Sequence, residues 1–178
     1  MSSELVAKSV TEATIGAPLA DIDLTEWVFT ITDSEYQACS KNHIAAAASR
    51  TAEGKRMSLN VEHVGNLMVQ HYVEEISERA HCRLVSTSDS IGPDINSRTK
   101  VIVIWSFTAE AIDAHSTKFT NTVETRSTPE YLEVLKTRGV PFSKACEVVQ
   151  AAVSAHNAEE TPLFAKDIER KAKAKRWG

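Results

Sequence analysis

The chain has 178 residues, of which 42% are hydrophobic and 25% are charged, and its formal net charge is −4. These values are typical of a globular protein whose length allows one domain with a buried core. The negative net charge argues against a general nucleic-acid-binding protein. The sequence also contains no run of about 18 apolar residues that would predict a membrane span.

The N-terminal region has the weakest pattern in the chain. Residues 1–20 lack clear periodicity, and they also lack the basic start and apolar core of a secretory signal. We expect residues 1–24 to be loosely ordered and residues 25–178 to form a single domain. The three cysteines have no CxxC spacing, so reduced thiols in a cytoplasmic protein are the simplest interpretation.

A strand and two short helices are predicted next. Large apolar residues alternate through 26–32, which predicts a strand. Ser34 and Gln37 have the spacing of a capping box and predict a short helix. The run of alanines within 43–49 favours a second helical segment.

Residues 57–125 have the pattern of an antiparallel meander. Apolar residues alternate with polar ones through 57–63 and again through 67–73, as expected for half-buried strands. A three-residue loop between these strands pairs His63 with Leu67 and keeps the two apolar faces on the same side. We therefore expect the apolar face of this hairpin to be its inner face.

Three more strands complete the predicted meander, over 80–87, 101–107 and 115–123. Turn residues fill 90–98 between the first and second of them. Residues 101–107 are apolar on both faces, which predicts a central strand or one covered from outside, for example by the second subunit of a homodimer. The predicted loops give the cross-strand neighbours Val73–Cys82, His71–Leu84 and Phe107–His115.

The C-terminal part of the chain is predicted to be helical. The Thr-Pro pair at 128–129 is a strong helix start, and Gly139 ends that helix. Residues 142–156 carry apolar side chains three and four positions apart. Asn157 is expected to end this second helix, and a third helix with a basic, solvated end follows from 161–162.

One face of the predicted sheet combines apolar side chains with a few polar groups, as small-molecule pockets do. His71 and His115 are the candidate catalytic residues, because histidine can move protons near neutral pH without a cofactor. Asn121 on the same face is expected to hold a substrate oxygen. The other predicted ligand-binding residues are His63, Val69, Val73, Cys82, Leu84, Trp105, Phe107 and Phe119.

No metal or cofactor site is predicted. The histidines of the predicted inner face do not have His-x-His or His-x3-His spacing. The sequence also lacks a glycine-rich phosphate loop, a Gly-x-Ser-x-Gly elbow and a His-Glu-x-x-His helix. Catalysis is therefore expected to use side chains alone.

The order of these elements resembles that of the START-like helix-grip superfamily over residues 25–160, roughly. That superfamily includes pollen-allergen-like proteins and polyketide cyclases. The resemblance implies an α+β fold in which a curved antiparallel sheet of about six strands wraps around C-terminal helices and encloses a cavity for an apolar or aromatic small molecule. The superfamily helix is usually long and single, whereas the helix predicted here is broken near Asn157. The alternative fold is the α+β cone of the nuclear-transport-factor-like dehydratases, which usually begins with long helices that are not predicted here.

The resemblance leaves three functions open. Members of the superfamily are carriers or cofactor-free enzymes, so the first hypothesis is a cofactor-independent enzyme of cyclase, dehydratase or isomerase type in specialised metabolism. The second is a non-catalytic carrier or sensor of a hydrophobic ligand, and the third is a scaffold protein with a filled interior. Two polar groups that converge on one point of a cavity would favour the enzyme, whereas an apolar wall alone would favour the carrier.

Overall fold

The structure is a computed structural model that describes residues 3–94 and 97–177. Seven strands of this described part form one antiparallel sheet in the order β1-β7-β6-β5-β4-β3-β2. In chain order the elements are β1 (Leu5–Ile15), a 3-10 turn (Leu19–Asp21), α1 (Leu24–Thr30), α2 (Asp33–Ala38), β2 (His43–Arg50), β3 (Arg56–Val64), β4 (Asn66–Ser77), β5 (His81–Ile91), β6 (Arg98–Ala111), β7 (Thr117–Ser127), α3 (Pro129–Thr137) and α4 (Phe142–Lys173).

The sheet curves around helix α4, and this confirms the predicted α+β helix-grip architecture. Among the described residues the sheet has seven strands in place of about six. Strands β2 to β7 follow one another as a meander, and β1 joins the far edge beside β7. The inner face of the sheet and helix α4 enclose the interior in which the candidate site lies.

The prediction of a loosely ordered N-terminal segment is wrong for residues 5–15, which form β1. This strand pairs with β7 along its length. Its buried inner positions include Ala7 and Ser9, whose small side chains give little hydrophobic alternation. Backbone hydrogen bonds to β7 and the buried side chains of Val6 and Ile15 hold the strand in place.

The predicted strand at 26–32 is instead helix α1. The side chain of Asp23 caps the helix by accepting a hydrogen bond from a backbone N–H of the first turn. Leu24, Trp27 and Val28 lie on one helical face and are buried. The helical spacing of these buried residues and the Asp23 cap therefore outweigh the two-residue alternation of large apolar residues through 26–32.

One of the two predicted short helices is present, and the other is a strand. Helix α2 exists, but its capping box consists of Thr32 and Glu35 rather than Ser34 and Gln37. Residues 43–49 belong to strand β2, so the helical prediction there is wrong. Pairing with β3 at the edge of the sheet outweighs the helix propensity of the alanines.

The register of the β3–β4 hairpin is confirmed, but its faces are inverted. His63 pairs with Leu67, as predicted. The polar side chains point inward because they form hydrogen bonds with one another and with α4. The buried inner residues are Ser58, Asn60, Glu62, Met68, Gln70 and Tyr72. The outer face carries His63, Val69, His71 and Val73, and both of these histidines are exposed.

The predicted neighbours on β4 and β5 are wrong, because the turn between the strands lies later in the chain than expected, so that Ser77 pairs with Cys82. A bulge after Glu74 then shifts the register by one residue. The observed pairs are Val73–Val85 and Glu74–Leu84, in place of Val73–Cys82 and His71–Leu84. Strand β5 also extends into the predicted turn at 90–98 as far as Ile91. Residues 95–96 of that turn lie outside the described part of the chain.

The β6–β7 hairpin is longer than predicted. Ala111 pairs with Thr117, and the residues between them form the loop. Phe107 therefore pairs with Asn121 rather than with His115. His115 lies in the loop and is exposed to solvent.

Helix α4 is continuous over Phe142–Lys173, so the predicted break at Asn157 is wrong. Pro162 lies inside the helix, where its ring removes one backbone donor. The hydroxyl group of Thr161 donates to the carbonyl oxygen of Asn157 at 2.6 Å. Helix α3 is confirmed together with its predicted threonine cap.

Aromatic side chains fill the interior beside the C-terminal half of α4. The ring of Trp27 packs edge-on against Phe107 and Phe164, with centroids 5.4 and 5.0 Å away. Phe107 and Phe119 stack with their centroids 5.7 Å apart, and all four side chains are buried. This end of the interior is a packed core.

Candidate functional site

A cavity of about 200 Å³ lies beside the N-terminal half of α4. Its wall is formed by inner faces of β3 to β7 and by successive turns of α4. An apolar cavity of this kind suits the body of a small hydrophobic molecule. Its apolar lining includes Met68, Val103, Trp105, Val123, Val149 and Val153.

The turn between β3 and β4 borders the open side of the cavity. Gly65 in this turn has a φ of 72°, a backbone conformation that favours glycine. A Cβ atom at Gly65 would lie 3.5 Å from the Cβ atom of Ala152 on α4. Val148, one turn earlier on the helix, also lines the cavity and is 59% exposed. The turn and this part of α4 therefore form the rim of the cavity.

Four buried side chains meet at the end of the cavity: His43 on β2, Glu62 on β3, and His156 and Glu160 on α4. The Nε2 atom of His156 lies 3.2 Å from Oε2 of Glu62 and 3.2 Å from Oε2 of Glu160. The Nε2 atom of His43 lies 3.5 and 3.2 Å from the same two oxygen atoms. Nitrogen and oxygen atoms thus alternate around a closed ring. We call these four residues the His–Glu cluster.

Further hydrogen bonds hold both carboxylates of the His–Glu cluster. Glu62 accepts from the hydroxyl group of Tyr36 at 2.7 Å and from Nε2 of Gln70 at 2.9 Å. Glu160 accepts from Nδ2 of Asn121 at 3.1 Å. These donors offset part of the cost of burying two carboxylates.

The imidazole ring of His43 is fixed by its neighbours. Its Nδ1 atom lies 2.6 Å from the backbone oxygen of Tyr36. That oxygen can only accept, so Nδ1 carries the proton and donates. The ring also stacks on the ring of Tyr36, with centroids 3.7 Å apart, and packs against Phe164 at 5.8 Å. The remaining nitrogen, Nε2, faces the centre of the cluster.

The electrostatics of the cluster favour a protonated His156. Burial alone would lower the pKa of this imidazole, but hydrogen bonds and charges from Glu160 and Glu62 raise it to about 10. Burial alone would raise the pKa of Glu62, but His156 and its other neighbours lower it. Protonated His156 and ionised Glu62 therefore form a buried ion pair.

One face of helix α4 carries the cavity wall, the cluster and the core in turn. Val149 and Val153 line the cavity, and His156 and Glu160 follow along the same face. Phe164 comes one turn later in the packed core. Spacings of three and four residues place these side chains in a single row. The cluster is therefore the boundary between the open and the filled ends of the interior.

Two of the predicted site residues lie at this site. Trp105 lines the cavity, and its Nε1 donates to Oδ1 of Asn121 at 2.9 Å. Asn121 in turn holds Glu160, so its amide groups are used by protein neighbours rather than by a ligand oxygen. Four other predicted residues face inward but belong to the packed core and not to the cavity wall: Cys82, Leu84, Phe107 and Phe119.

The structure places both predicted catalytic histidines away from the cavity. His71 is exposed on the outer face of β4, and His115 is exposed in the β6–β7 loop. The inverted hairpin also carries His63, Val69 and Val73 outward. The predicted inward position of these five residues is therefore wrong.

Sequence reasoning missed the four residues of the His–Glu cluster. His156 and Glu160 are four positions apart on one helix, and this spacing places two acid–base groups side by side. That signal was present in the sequence. His43 and Glu62 are direct cross-strand partners on β2 and β3. Their proximity could be predicted only after β2 had been identified as a strand.

The fold is similar to solved structures of low sequence identity. The Zhui aromatase/cyclase from Streptomyces sp. R1128 matches with a TM-score of 0.57 and 14% identity, over 94% of this chain and 96% of that chain. A START superfamily protein from Mycobacterium smegmatis matches with a TM-score of 0.51 and 12% identity, over 94% and 97%. The di-domain ARO/CYC StfQ from the steffimycin biosynthetic pathway matches with a TM-score of 0.56 and 9% identity, over 94% of this chain and 53% of that chain. The chain therefore has the START-like helix-grip fold.

No protein-family model matches the sequence, and no curated protein matches it. Across residues 3–94 and 97–177, no helix is both long enough and apolar enough to cross a membrane.

Proposed function

From the helix-grip fold and its cavity, we propose that this protein is an enzyme of cyclase, dehydratase or isomerase type that acts on an apolar or aromatic small molecule. The observation that carries the proposal is the convergence of the buried His–Glu cluster on the end of an apolar cavity. Convergent polar groups in an otherwise apolar pocket are a common arrangement of active sites. The fold likeness to an aromatase/cyclase supports the reaction class by analogy.

The proposed chemistry is proton transfer to and from a substrate that carries a carbonyl or hydroxyl group. Protonated His156 would donate to the substrate oxygen, and the carboxylate of Glu62 or Glu160 would accept a proton from a neighbouring carbon. The apolar wall keeps water away, which strengthens both interactions. His156 thus takes the proton-transfer role that the sequence suggested for other histidines, and Asn121 positions Glu160.

The second candidate function is a carrier or sensor of a hydrophobic ligand. The mostly apolar wall of the cavity favours it, because binding alone needs no acid–base group. The third hypothesis, a scaffold with a filled interior, is opposed by the cavity itself.

A cytoplasmic location and a homodimer remain predictions. The first rests on the free thiols of Cys39, Cys82 and Cys146. The second rests on the outer face of β6, where Ile102 and Ile104 are half-buried and leave apolar surface that a second subunit could cover.

Deuterium exchange separates the enzyme from the carrier. Acetylnaphthalene joins an apolar aromatic body to one carbonyl group, and its methyl protons exchange with D₂O only when a base removes them. We expect the protein to accelerate this exchange, as measured by NMR. Glu62→Gln, Glu160→Gln and His156→Gln should each lower the catalysed rate by about a hundredfold or more.

The matched control is His71→Gln, which changes an exposed histidine on the outer face of the sheet. Its exchange rate should equal that of the parent. Acetylnaphthalene binding without accelerated exchange would reject the enzyme and favour the carrier. Exchange that survives all three cluster substitutions would reject the proposed mechanism.

A further inference from the structure

The contacts within the His–Glu cluster are longer than direct hydrogen bonds between charged groups. Such N–H···O bonds are about 2.7–2.9 Å long, whereas the four contacts of the cluster measure 3.2, 3.2, 3.2 and 3.5 Å. Each imidazole nitrogen also faces two carboxylate oxygens, although one N–H bond can point directly at only one of them. The geometry indicates a shared centre rather than a set of pairwise bonds.

These contacts have the length of the edges of a tetrahedron around a metal ion. Zn²⁺ binds imidazole nitrogen and carboxylate oxygen at about 2.0–2.1 Å, so ligand atoms of a tetrahedral site lie about 3.3–3.4 Å apart. The four measured contacts fall close to this value on both sides. All four ligand atoms lie within 4.8 Å of one another.

We propose that the His–Glu cluster binds one divalent first-row transition-metal ion, with zinc as the best fit. Two imidazole nitrogens and two carboxylate oxygens are ligand types that zinc accepts in four-coordinate sites. The two carboxylates would balance the charge of the ion. The proposal concerns metal binding, and it holds whether or not the protein is an enzyme.

Burial makes the charge balance important. The side chains of His43 and Glu160 are 0% and 4% exposed, and those of Glu62 and His156 are 9% and 8% exposed. Two carboxylates brought together away from water repel each other strongly. A divalent cation between them removes this repulsion and is the dominant local charge at such a site.

The groups around the imidazoles partly follow the pattern of known metal sites. A metal-bound histidine usually donates its second ring N–H to a backbone oxygen or a carboxylate. His43 does so through Nδ1, which donates to the backbone oxygen of Tyr36 at 2.6 Å. His156 departs from the pattern, because its Nδ1 has no hydrogen-bond partner among the described residues.

The carboxylates are oriented in the same way. Oε1 of Glu62 accepts from Gln70, and Oε1 of Glu160 accepts from Asn121. These bonds turn the Oε2 atoms toward the shared centre. Oε2 of Glu62 also accepts from the hydroxyl group of Tyr36, which fixes that oxygen further.

The site is open to the cavity, since Glu62, His156 and Glu160 all line it. A bound ion would take the place of the proton on His156 Nε2, and the two carboxylates would balance its charge at the end of the cavity. As a Lewis acid it could polarise a substrate oxygen that approaches as an additional ligand. The metal ion would therefore polarise the ligand in the metal-loaded protein, whereas protonated His156 would do so in the metal-free protein.

Metal titration of the full chain, after chelator treatment and removal of the chelator, tests the proposal. Calorimetry should show one Zn²⁺ per chain, and Co²⁺ should give the intense visible absorption of tetrahedral coordination. Glu160→Gln and His156→Gln should each lower Zn²⁺ affinity by about a hundredfold or more. Gln70→Met, which removes only a bond to Glu62, should lower it by about 10–100-fold. His71→Gln is the matched control and should bind as the parent does.

Three results would overturn the proposal. The first is a folded parent protein that fails to bind either ion at one per chain, and the second is an octahedral Co²⁺ spectrum. The third is a Zn²⁺ affinity that the cluster substitutions leave unchanged. If circular dichroism shows that a cluster variant is unfolded, the Co²⁺ absorption spectrum of the parent and the Zn²⁺ affinity of Gln70→Met still test the proposal. None of these readouts uses acetylnaphthalene, so failure of the proposed enzyme activity would not alter them.

Discussion

The side-chain amide of Asn121 on β7 donates a hydrogen bond to Glu160 on α4 across 3.1 Å. The oxygen of the same amide accepts a bond from the indole N–H of Trp105 on β6 at 2.9 Å. Both bonds are buried. One amide therefore connects the cavity wall to the His–Glu cluster and fixes the distance between the sheet and the helix.

Replacement of Asn121 by leucine, which is similar in size, should lower the free energy of unfolding by about 1–3 kcal/mol. The reason is that Trp105 and Glu160 would lose a partner where water cannot replace it. Urea unfolding measures the change. Thr122→Val, on the opposite face of the same strand, is the control and should change stability by less than about 0.5 kcal/mol. An unchanged midpoint for Asn121→Leu would contradict this role.

The cavity wall offers a matched pair of substitutions. Val103 points into the cavity, whereas its neighbour Ile102 points to the outer face of β6. Val103→Phe should fill part of the cavity and weaken acetylnaphthalene binding by about tenfold or more, which corresponds to about 1.4 kcal/mol. Ile102→Phe should leave the affinity unchanged. Fluorescence titration checks both variants, and equal affinities for the two would place the ligand elsewhere.

Pro162 interrupts the hydrogen bonds of α4 while its side chain is exposed. Pro162→Ala should restore one backbone hydrogen bond without loss of packing and should raise the free energy of unfolding by about 1–3 kcal/mol. Lys166→Ala, at an exposed position one turn later, should have little effect. Chemical denaturation of both variants gives the comparison. A destabilised Pro162→Ala would show that the restored hydrogen bond does not stabilise the helix.

Glu35 ties α2 to the end of α4. Its carboxylate accepts from Lys171 at 2.8 Å and from Arg170 at 2.5 Å. Burial alone would raise the pKa of Glu35, but these hydrogen bonds and that of the Thr32 backbone lower it from 4.5 to about 2. The ionised form therefore stabilises the fold.

The pH dependence follows from the direction of this shift. The contribution of Glu35 should be complete above pH 4.5 and should be lost as the pH falls toward 2. Glu35→Gln should be less stable than the parent at pH 6 by about 1–3 kcal/mol, and the difference should shrink between those two pH values. Urea midpoints across the range measure it. A constant difference would mean that the carboxylate charge is not the cause.

Strand alternation was enough to predict the meander and the register of its first hairpin, because both depend on the two-residue period and the loop length. It could not indicate which face of that hairpin points inward. The usual rule that the apolar face is buried fails on β3 and β4, where Asn60, Glu62 and Gln70 lie inside. These polar groups point inward because the interior supplies their hydrogen-bond partners. The polar, hydrogen-bonded interior of this hairpin is therefore the reason that its faces are inverted.

The two-residue period also determines which residues of the cavity and of the His–Glu cluster could be predicted from the sequence. Trp105 and Asn121 face inward, as the two-residue period of β6 and β7 predicts, because they share their faces with the buried rings of Phe107 and Phe119. His43 could not be found, because the alanines after it suggested a helix and only pairing with β3 makes them a strand. The four-residue spacing of His156 and Glu160 does predict that they lie side by side on a helix. It does not indicate that His43 and Glu62 join them, because those two residues lie on distant strands.

The pairing of the first strand with the last has a consequence for synthesis on the ribosome. Ile15 at the end of β1 pairs with Thr117 at the start of β7, so β1 emerges long before its partner exists. At about 5–20 residues per second, the delay is about 5–20 s. During that time β1 is an unpaired strand that can associate with other chains. Slow translation of residues 16–117 should therefore lower the yield of folded protein more than slow translation of α4, whose partners in the sheet are already made.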